Sequence, residues 1–295
     1  MNEAKFSVVG IRAVDEAPKI AEKKWYKEIP LASCIVLAII FLGCFFCEFI
    51  MTKDPTYLDL VNYSRKPCSE FVFGTDTLGR DIFSMIWYGG RISITIGILS
   101  TVISTFIAIV FGSISGLAPE WLDTLLMRAT EILLRIPNLL LVILIQAILG
   151  DANVFSISLV IGITSWTSIA KVVRTEVRKI RNSEYVVASR CMGAGFFHIL
   201  WKHLTPNFVS SIMFMVVMNV RSAIVSESTL SFMGIGLPIE IISWGSMLSL
   251  SENALLTGSW WIIFIPGLFL VATLMCLTEI GNYLRRNVNR KQSNL

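Results

Sequence analysis

Charge is what this 295-residue chain is short of: Asp, Glu, Lys and Arg make 16% of it, against about 25% in a soluble domain. That shortage excludes an ordinary water-soluble enzyme, and 54% hydrophobic residues at a mean hydropathy of +0.69 agree. Histidine is scarcer still. His198 and His203 are the whole supply and sit in one short segment, away from any metal-like cluster, so haem ligation inside a bilayer is excluded. No Gly-Lys dipeptide occurs, so the glycine-rich loop whose lysine reaches nucleotide phosphates is missing, and ATP cannot be bound that way. The six cysteines suggest no disulfide framework, and the Cys44-x-x-Cys47 spacing lies in an apolar run without a second pair, which reads as packing. Disorder is excluded as well, because 18 Phe, 8 Trp and 6 Tyr supply too much apolar surface.

What is present is a set of charge-free windows. A hydrocarbon core of about 30 Å needs roughly 20 helical residues. Residues 31–47, 92–119, 152–170 and 253–278 contain no charged side chain, and 136–150 and 207–220 are shorter windows whose helices would run on through charged positions. Six membrane helices are expected, and an even number puts both termini on one side. Nineteen of the 25 basic residues fall in 1–29, 120–135, 171–206 and 281–295, five fall in 51–91, and Arg221 lies within a span. The positive-inside rule makes both termini cytoplasmic, so the net charge of +4 reports topology and no nucleic-acid partner is implied. The first apolar run follows 29 mixed-charge residues without a small-residue cleavage site, and is expected to stay as an anchor. The organisation is then a tail at 1–29, a first membrane helix at 30–50, an external segment at 51–91, a five-helix core at 92–280 and a cytoplasmic tail at 281–295.

The segment 171–206 is the most informative. Val172, Val173, Val177 and Ile180 fall at helical spacing opposite Lys171, Arg174, Arg178 and Arg181, which carries the fourth membrane helix into the cytosol. Ser183 is expected to cap a new helix from Glu184 to Met192, ended by Gly193-Ala194-Gly195, because glycine accepts positive φ without a Cβ penalty. A second short helix follows over 196–202, and Pro206 opens the next span. The pair displays Tyr185, Val186, Phe196, Phe197, Leu200 and Trp201, more apolar surface than it can bury alone. Docking into a cytoplasmic partner and lying on the membrane interface are both open at this point.

The string from Glu184 through Tyr185, Ala188, Gly193 and Ala194, followed by His203, Pro206 and Asn207, resembles the cytoplasmic coupling motif of binding-protein-dependent ABC importer permeases. FGTDTLGRDIFS at 73–84, the 128–150 stretch with its Ile136-Pro137 step, and ESTLSFMGIGLP with SWGSML at 227–248 agree with it. Together they look like the C-type subunit of the peptide and nickel branch over roughly 70–285. Ser189, Gly195, Thr205 and Glu131 depart from the usual pattern without removing its Glu184, Gly193 and Pro206 framework. The resemblance implies an all-α polytopic protein with the type I ABC importer permease fold, forming half of a pore for di- or oligopeptides, with nickel or a metal chelate as the rival substrate. Implied partners are a homologous companion permease, two ATPase subunits that hold the ATP, and an extracytoplasmic binding protein; the chain itself would need no cofactor. A stand-alone ion-coupled secondary transporter would need mid-span carboxylates and inverted repeats, neither of which is apparent.

Charges inside the expected spans form the second set of candidates, since one at the bilayer centre costs about 2.5 to 3.5 kcal/mol. Arg128, Glu131 and Arg135 share a helix stripe and read as an ion-paired ladder or as a vestibule wall. Arg221 and Glu227 are too far apart around a helix to pair, so each needs its own partner; for Glu227 the companion permease or the 51–91 segment is expected, with substrate contact as the alternative. Gly74, Asp76, Gly79, Arg80 and Asp81 read as a turn whose aspartates cap backbone amides while Arg80 pairs with one of them. No catalytic constellation and no metal site is assigned.

Overall fold

The computed structural model describes residues 29–293 except 239, 251–253 and 255–257; the tail read at 1–29 lies almost wholly outside them. Among the described residues the only regular elements are helices. They are α1 (Leu31–Phe45), α2 (Cys47–Ile50), α3 (Ile82–Leu117), α4 (Glu120–Arg135), α5 (Asn138–Leu149), α6 (Val154–Thr164), α7 (Thr167–Ile180), α8 (Glu184–Cys191), α9 (Phe196–Ile199), α10 (Thr205–Phe232), α11 (Trp244–Ser249) and α12 (Trp261–Ser293).

Among the described residues, three helical stretches are long and apolar enough to cross a membrane alone: Ile82–Leu117, Phe208–Phe232 and Trp261–Asn287. Two more candidates are bent pairs, α4 with α5 at 91° and α6 with α7 at 47°. With the shorter apolar α1, that inventory is compatible with six crossings.

Three features differ from the sequence reading. α3 begins at Ile82 and not at Ile92, because Asp81 caps it: its carboxylate accepts from the Ser84 amide at 3.0 Å and the Ser84 hydroxyl at 2.6 Å. Arg91 is carried on the helix flank by an ion pair with Glu48 at 3.1 Å, so a charge there does not end the element. The single charged membrane helix read across 125–150 is instead a right-angled pair. Pro137 removes an amide donor, Ile136 before it is extended at φ −83° and ψ 127°, and the helix restarts at Asn138. The fourth expected helix also breaks, at Ser165-Trp166.

α3 is the central post, packing against α1, α6, α7 and α10. Small residues permit the approach: a Cβ on Gly112 would stand 2.6 Å from the Ala170 carbonyl oxygen, and one on Gly97 2.6 Å from Ile224. Three apolar clusters result. One joins α1, α3, α11 and α12 around Trp244; another joins α3 and α5 to α6 and α10; the third joins α3 and α7 to the α8–α9 region.

Candidate functional site

The α8–α9 elbow is built by a glycine-ended helix. At the end of α8 the Ala194 amide donates to Ser189 O at 3.1 Å and the Gly193 amide to Arg190 O at 2.9 Å, with Gly193 at φ +82°. This is the paired six-to-one and five-to-two closure that needs a left-handed residue. Nothing lies within 4 Å of where a Gly193 Cβ would stand, so conformation and not crowding demands glycine there. Ser183 occupies the cap position as expected, but its hydroxyl donates back to Ile180 O at 2.7 Å and makes no cap bond.

The second short helix does not stand apart as expected. Residues 196–199 pass through a wide π-type turn, Leu200–Leu204, directly into α10. Pro206 near the head of α10 has no amide to donate and its ring crowds the preceding turn, and the widened turn accommodates it. The elbow is therefore a rigid extension of α10 on one side and is tied to α7 on the other.

Its two faces differ. Val186, Ile199, Leu200 and Leu204 are buried among Ala170, Val173, Val177 and Phe208, while Tyr185, Val187, Met192, Phe197 and Trp201 are exposed. Glu184 and Ala188 are exposed on α8, Ala194 is half-buried, and the His203 ring stands 5.8 Å from that of Tyr185 and 6.0 Å from that of His198.

Behind the elbow lies a polar brace that the sequence reading did not identify. The buried Asp123 of α4 accepts from Arg174 Nε at 2.6 Å, from the Arg174 terminal nitrogen, from Arg178 Nη1 at 2.8 Å and from Ser115 Oγ at 2.6 Å. One carboxylate thus ties α3, α4 and α7 together, one turn before α7 enters the elbow. Arg174 and Arg178 had been legible only as the polar stripe of α7.

The stripe on α4 has a plainer part. Arg128 and Glu131 pair at 3.3 Å with side chains 75% and 43% exposed, and Arg135 closes the last turn. The pair forms at i, i+3 and not at the i+4 spacing of Glu131 with Arg135, and the helix lies at a right angle to its partner instead of within a straight span.

Glu227 corrects its expectation outright. It meets neither another subunit nor the 51–91 segment, because it is fully buried within the chain. Ser93 Oγ donates to it at 3.0 Å, Ser231 Oγ at 2.9 Å and Ser228 Oγ at 3.4 Å, and the Trp244 amide donates to Ser93 Oγ at 3.2 Å. The carboxylate so holds α10 to α3 and seats α11. Glu227→Leu would leave these hydroxyls without their acceptor, at about 1–3 kcal/mol, whereas Glu227→Gln keeps one acceptor oxygen. The unfolding midpoint in detergent should therefore fall further for leucine than for glutamine; equal midpoints would dismiss the network. Arg221, midway along the 208–232 stretch, is exposed, and no hydrogen bond or ion pair of a described residue reaches it.

The 74–81 turn is compact. Buried Asp76 accepts from the Leu78 and Arg80 amides and pairs with Arg80 Nη2 at 2.7 Å. Gly74 and Gly79 sit at φ +75° and +78°, and a Cβ on Gly79 would strike the Asp59 carbonyl oxygen at 1.7 Å. Outside the membrane helices, Asp54 is held below the usual carboxylate range by hydrogen bonds from the Thr56 hydroxyl and amide. No group of three His, Cys, Asp or Glu among the described residues is placed to hold a metal.

Apolar helices, breaks within two of the candidate spans and an elbow half-anchored beside them describe a multi-pass membrane protein of the permease class. More particularly, the chain belongs to the family of binding-protein-dependent transport system inner membrane components, whose model matches residues 108–294. Among similar proteins is the oligopeptide transport system permease protein OppC of Bacillus subtilis, 36% identical over 264 residues, 90% of this chain and 86% of that protein. The dipeptide transport system permease protein DppC of the same organism is 33% identical over 264 residues, 90% of this chain and 82% of its own length. The OppC of Haemophilus influenzae is 34% identical over 274 residues, covering 92% and 88%.

Proposed function

We propose that this chain forms half of the translocation pathway of an ATP-driven importer of di- or oligopeptides, with both termini cytoplasmic. The other half is a homologous but distinct permease. Two ATPase subunits sit beneath the elbow and bind the ATP, and an extracytoplasmic binding protein delivers substrate. The distribution of basic residues supports the orientation. The peptide relatives favour peptides over nickel, and the described residues offer an ion no cluster of ligands.

The observation that carries the coupling reading is the two-faced elbow. Its inner face is keyed into α7 and α10, so anything that grips the bare outer face moves two membrane helices together. In this reading Tyr185, Val187 and Trp201 fill a groove on the ATPase, Glu184, Ala188 and Ala194 shape the contact, and His203 and Pro206 fix the entry to α10.

The test uses Cys191, a native thiol exposed on the elbow. In the assembled complex it should cross-link to a single cysteine placed in the ATPase groove, with a yield that changes on adding nucleotide. Proteoliposomes holding the complex should take up peptide only with ATP inside, and the purified chain alone should hydrolyse none. Uptake driven by an ion gradient without the ATPase would replace this reading with a secondary transporter.

A further inference from the structure

Both helix breaks open onto one cleft of about 330 Å³, within the range of small-ligand sites. Asn138 comes from the α4–α5 break, Thr164, Ser165 and Thr167 from the α6–α7 break, and Asn219 and Ser222 from α10. The greater part of the lining surface is apolar, from Leu134, Ile169, Phe214, Met215 and Met218; its polar part is hydroxyl and amide, with no carboxylate, thiol or imidazole. Breaks free backbone groups from their helical partners, and at membrane depth such groups persist only against protein or in a wet cavity. Asn219 is held in place by donating to Ser104 Oγ at 2.6 Å.

Arg221 is not one of the lining residues, but helix geometry places it beside them. Phe214 lines the cleft, and seven residues of helix bring Arg221 to within about 20° of the same stripe. Its guanidinium is exposed and unpaired among the described residues, halfway along a membrane helix, where lipid is a costly neighbour. Water or a carboxylate has to face it.

We propose that this cleft holds a peptide in transit by its main chain, with Arg221 receiving the terminal carboxylate. The inference rests on the peptide-permease reading above and deepens it. A peptide offers a donor and an acceptor at each residue, which neutral hydroxyls and amides match whatever the side chains are. Neutral partners also release what they hold, as passage requires.

The experiment uses the whole complex, with companion permease, ATPases and binding protein, in proteoliposomes. Ser222→Phe should fill the cleft and cut tripeptide uptake about tenfold or more, a barrier change of at least 1.36 kcal/mol, while peptide-loaded binding protein still stimulates ATP hydrolysis. Arg221→Gln should lower uptake of the free-acid tripeptide more than that of its C-terminal amide, and Arg221→Lys should restore the preference. Wild-type uptake in Ser222→Phe, or equal losses for acid and amide in Arg221→Gln, overturns the proposal. Should Ser222→Phe not assemble, Ser222→Cys in a background with Cys34, Cys68 and Cys191 each replaced by serine should react with a membrane-impermeant methanethiosulfonate, more slowly while peptide is transported. Labelling indifferent to peptide overturns it equally. Failure of the underlying peptide reading is distinguishable, since the wild-type complex would then import no peptide at all.

Discussion

Gly193→Val is expected to leave the complex assembled and hydrolysing ATP while peptide uptake per ATP falls about tenfold or more, the equivalent of 1.4 kcal/mol in the coupling step. The reason is conformational. Gly193 sits at φ +82°, where an L-residue costs about 1–2 kcal/mol and a β-branched one is a genuine outlier. The chain can escape only by giving up the Ala194 to Ser189 and Gly193 to Arg190 bonds, which swings α8 relative to the α10 extension. The open space around the missing Cβ separates this from crowding, so Gly193→Asn, a residue that tolerates the left-handed region, should keep most of the coupling. Uptake and hydrolysis measured together in proteoliposomes decide it. Wild-type coupling in the valine variant would show that the elbow angle transmits nothing.

Asp123→Ala should produce the larger loss of stability. Removing one partner of a buried ion pair costs about 3–5 kcal/mol, since the remaining charge stays buried without compensation. Here the lower end applies, because the Arg174 and Arg178 side chains are 24% and 33% exposed and can regain water. Ser115→Ala removes a single bond and should cost about 1 kcal/mol. The same brace connects the last turns of α7 to α3, so uptake in Asp123→Ala should fall with stability while ATP hydrolysis persists. The unfolding midpoint in detergent is the measurement, and a variant that melts with the wild type would show the brace to be incidental.

Much of the architecture was legible locally. Charge-free windows mark helices that tolerate lipid, because transfer cost depends on composition and hardly on neighbours. Gly193 announced a helix end through backbone preference alone, and it closes α8 at positive φ. Pro137 stood in a stretch read as one helix, and the structure turns it into a right-angled break. The break at Ser165-Trp166 carried no such signal, since neither residue forbids a helix. The start of α3 was hidden for the opposite reason: Arg91 looked like a boundary, but Glu48, far away along the chain, neutralises it in place.

The candidate site divides the same way. The elbow's motif and its glycine could be read because they act within a few residues. The Asp123 brace could not, since its arginines lie 51 and 55 residues along the chain, and the Glu227 cage draws on Ser93 at a separation of 134.

The sequence by itself determined which segments are apolar enough to enter lipid, how the basic residues are distributed among the segments between them, that a helix must end at Gly193, and that no Gly-Lys dipeptide is present. Only the tertiary structure decided which polar groups meet: Asp123 with two arginines, Glu227 with three serines, and two helix breaks around one cleft. The physical reason is one of range. Periodicity and backbone preference act over a turn or two of helix, whereas the partner of a buried charge is chosen by packing between elements that the chain brings together from far apart.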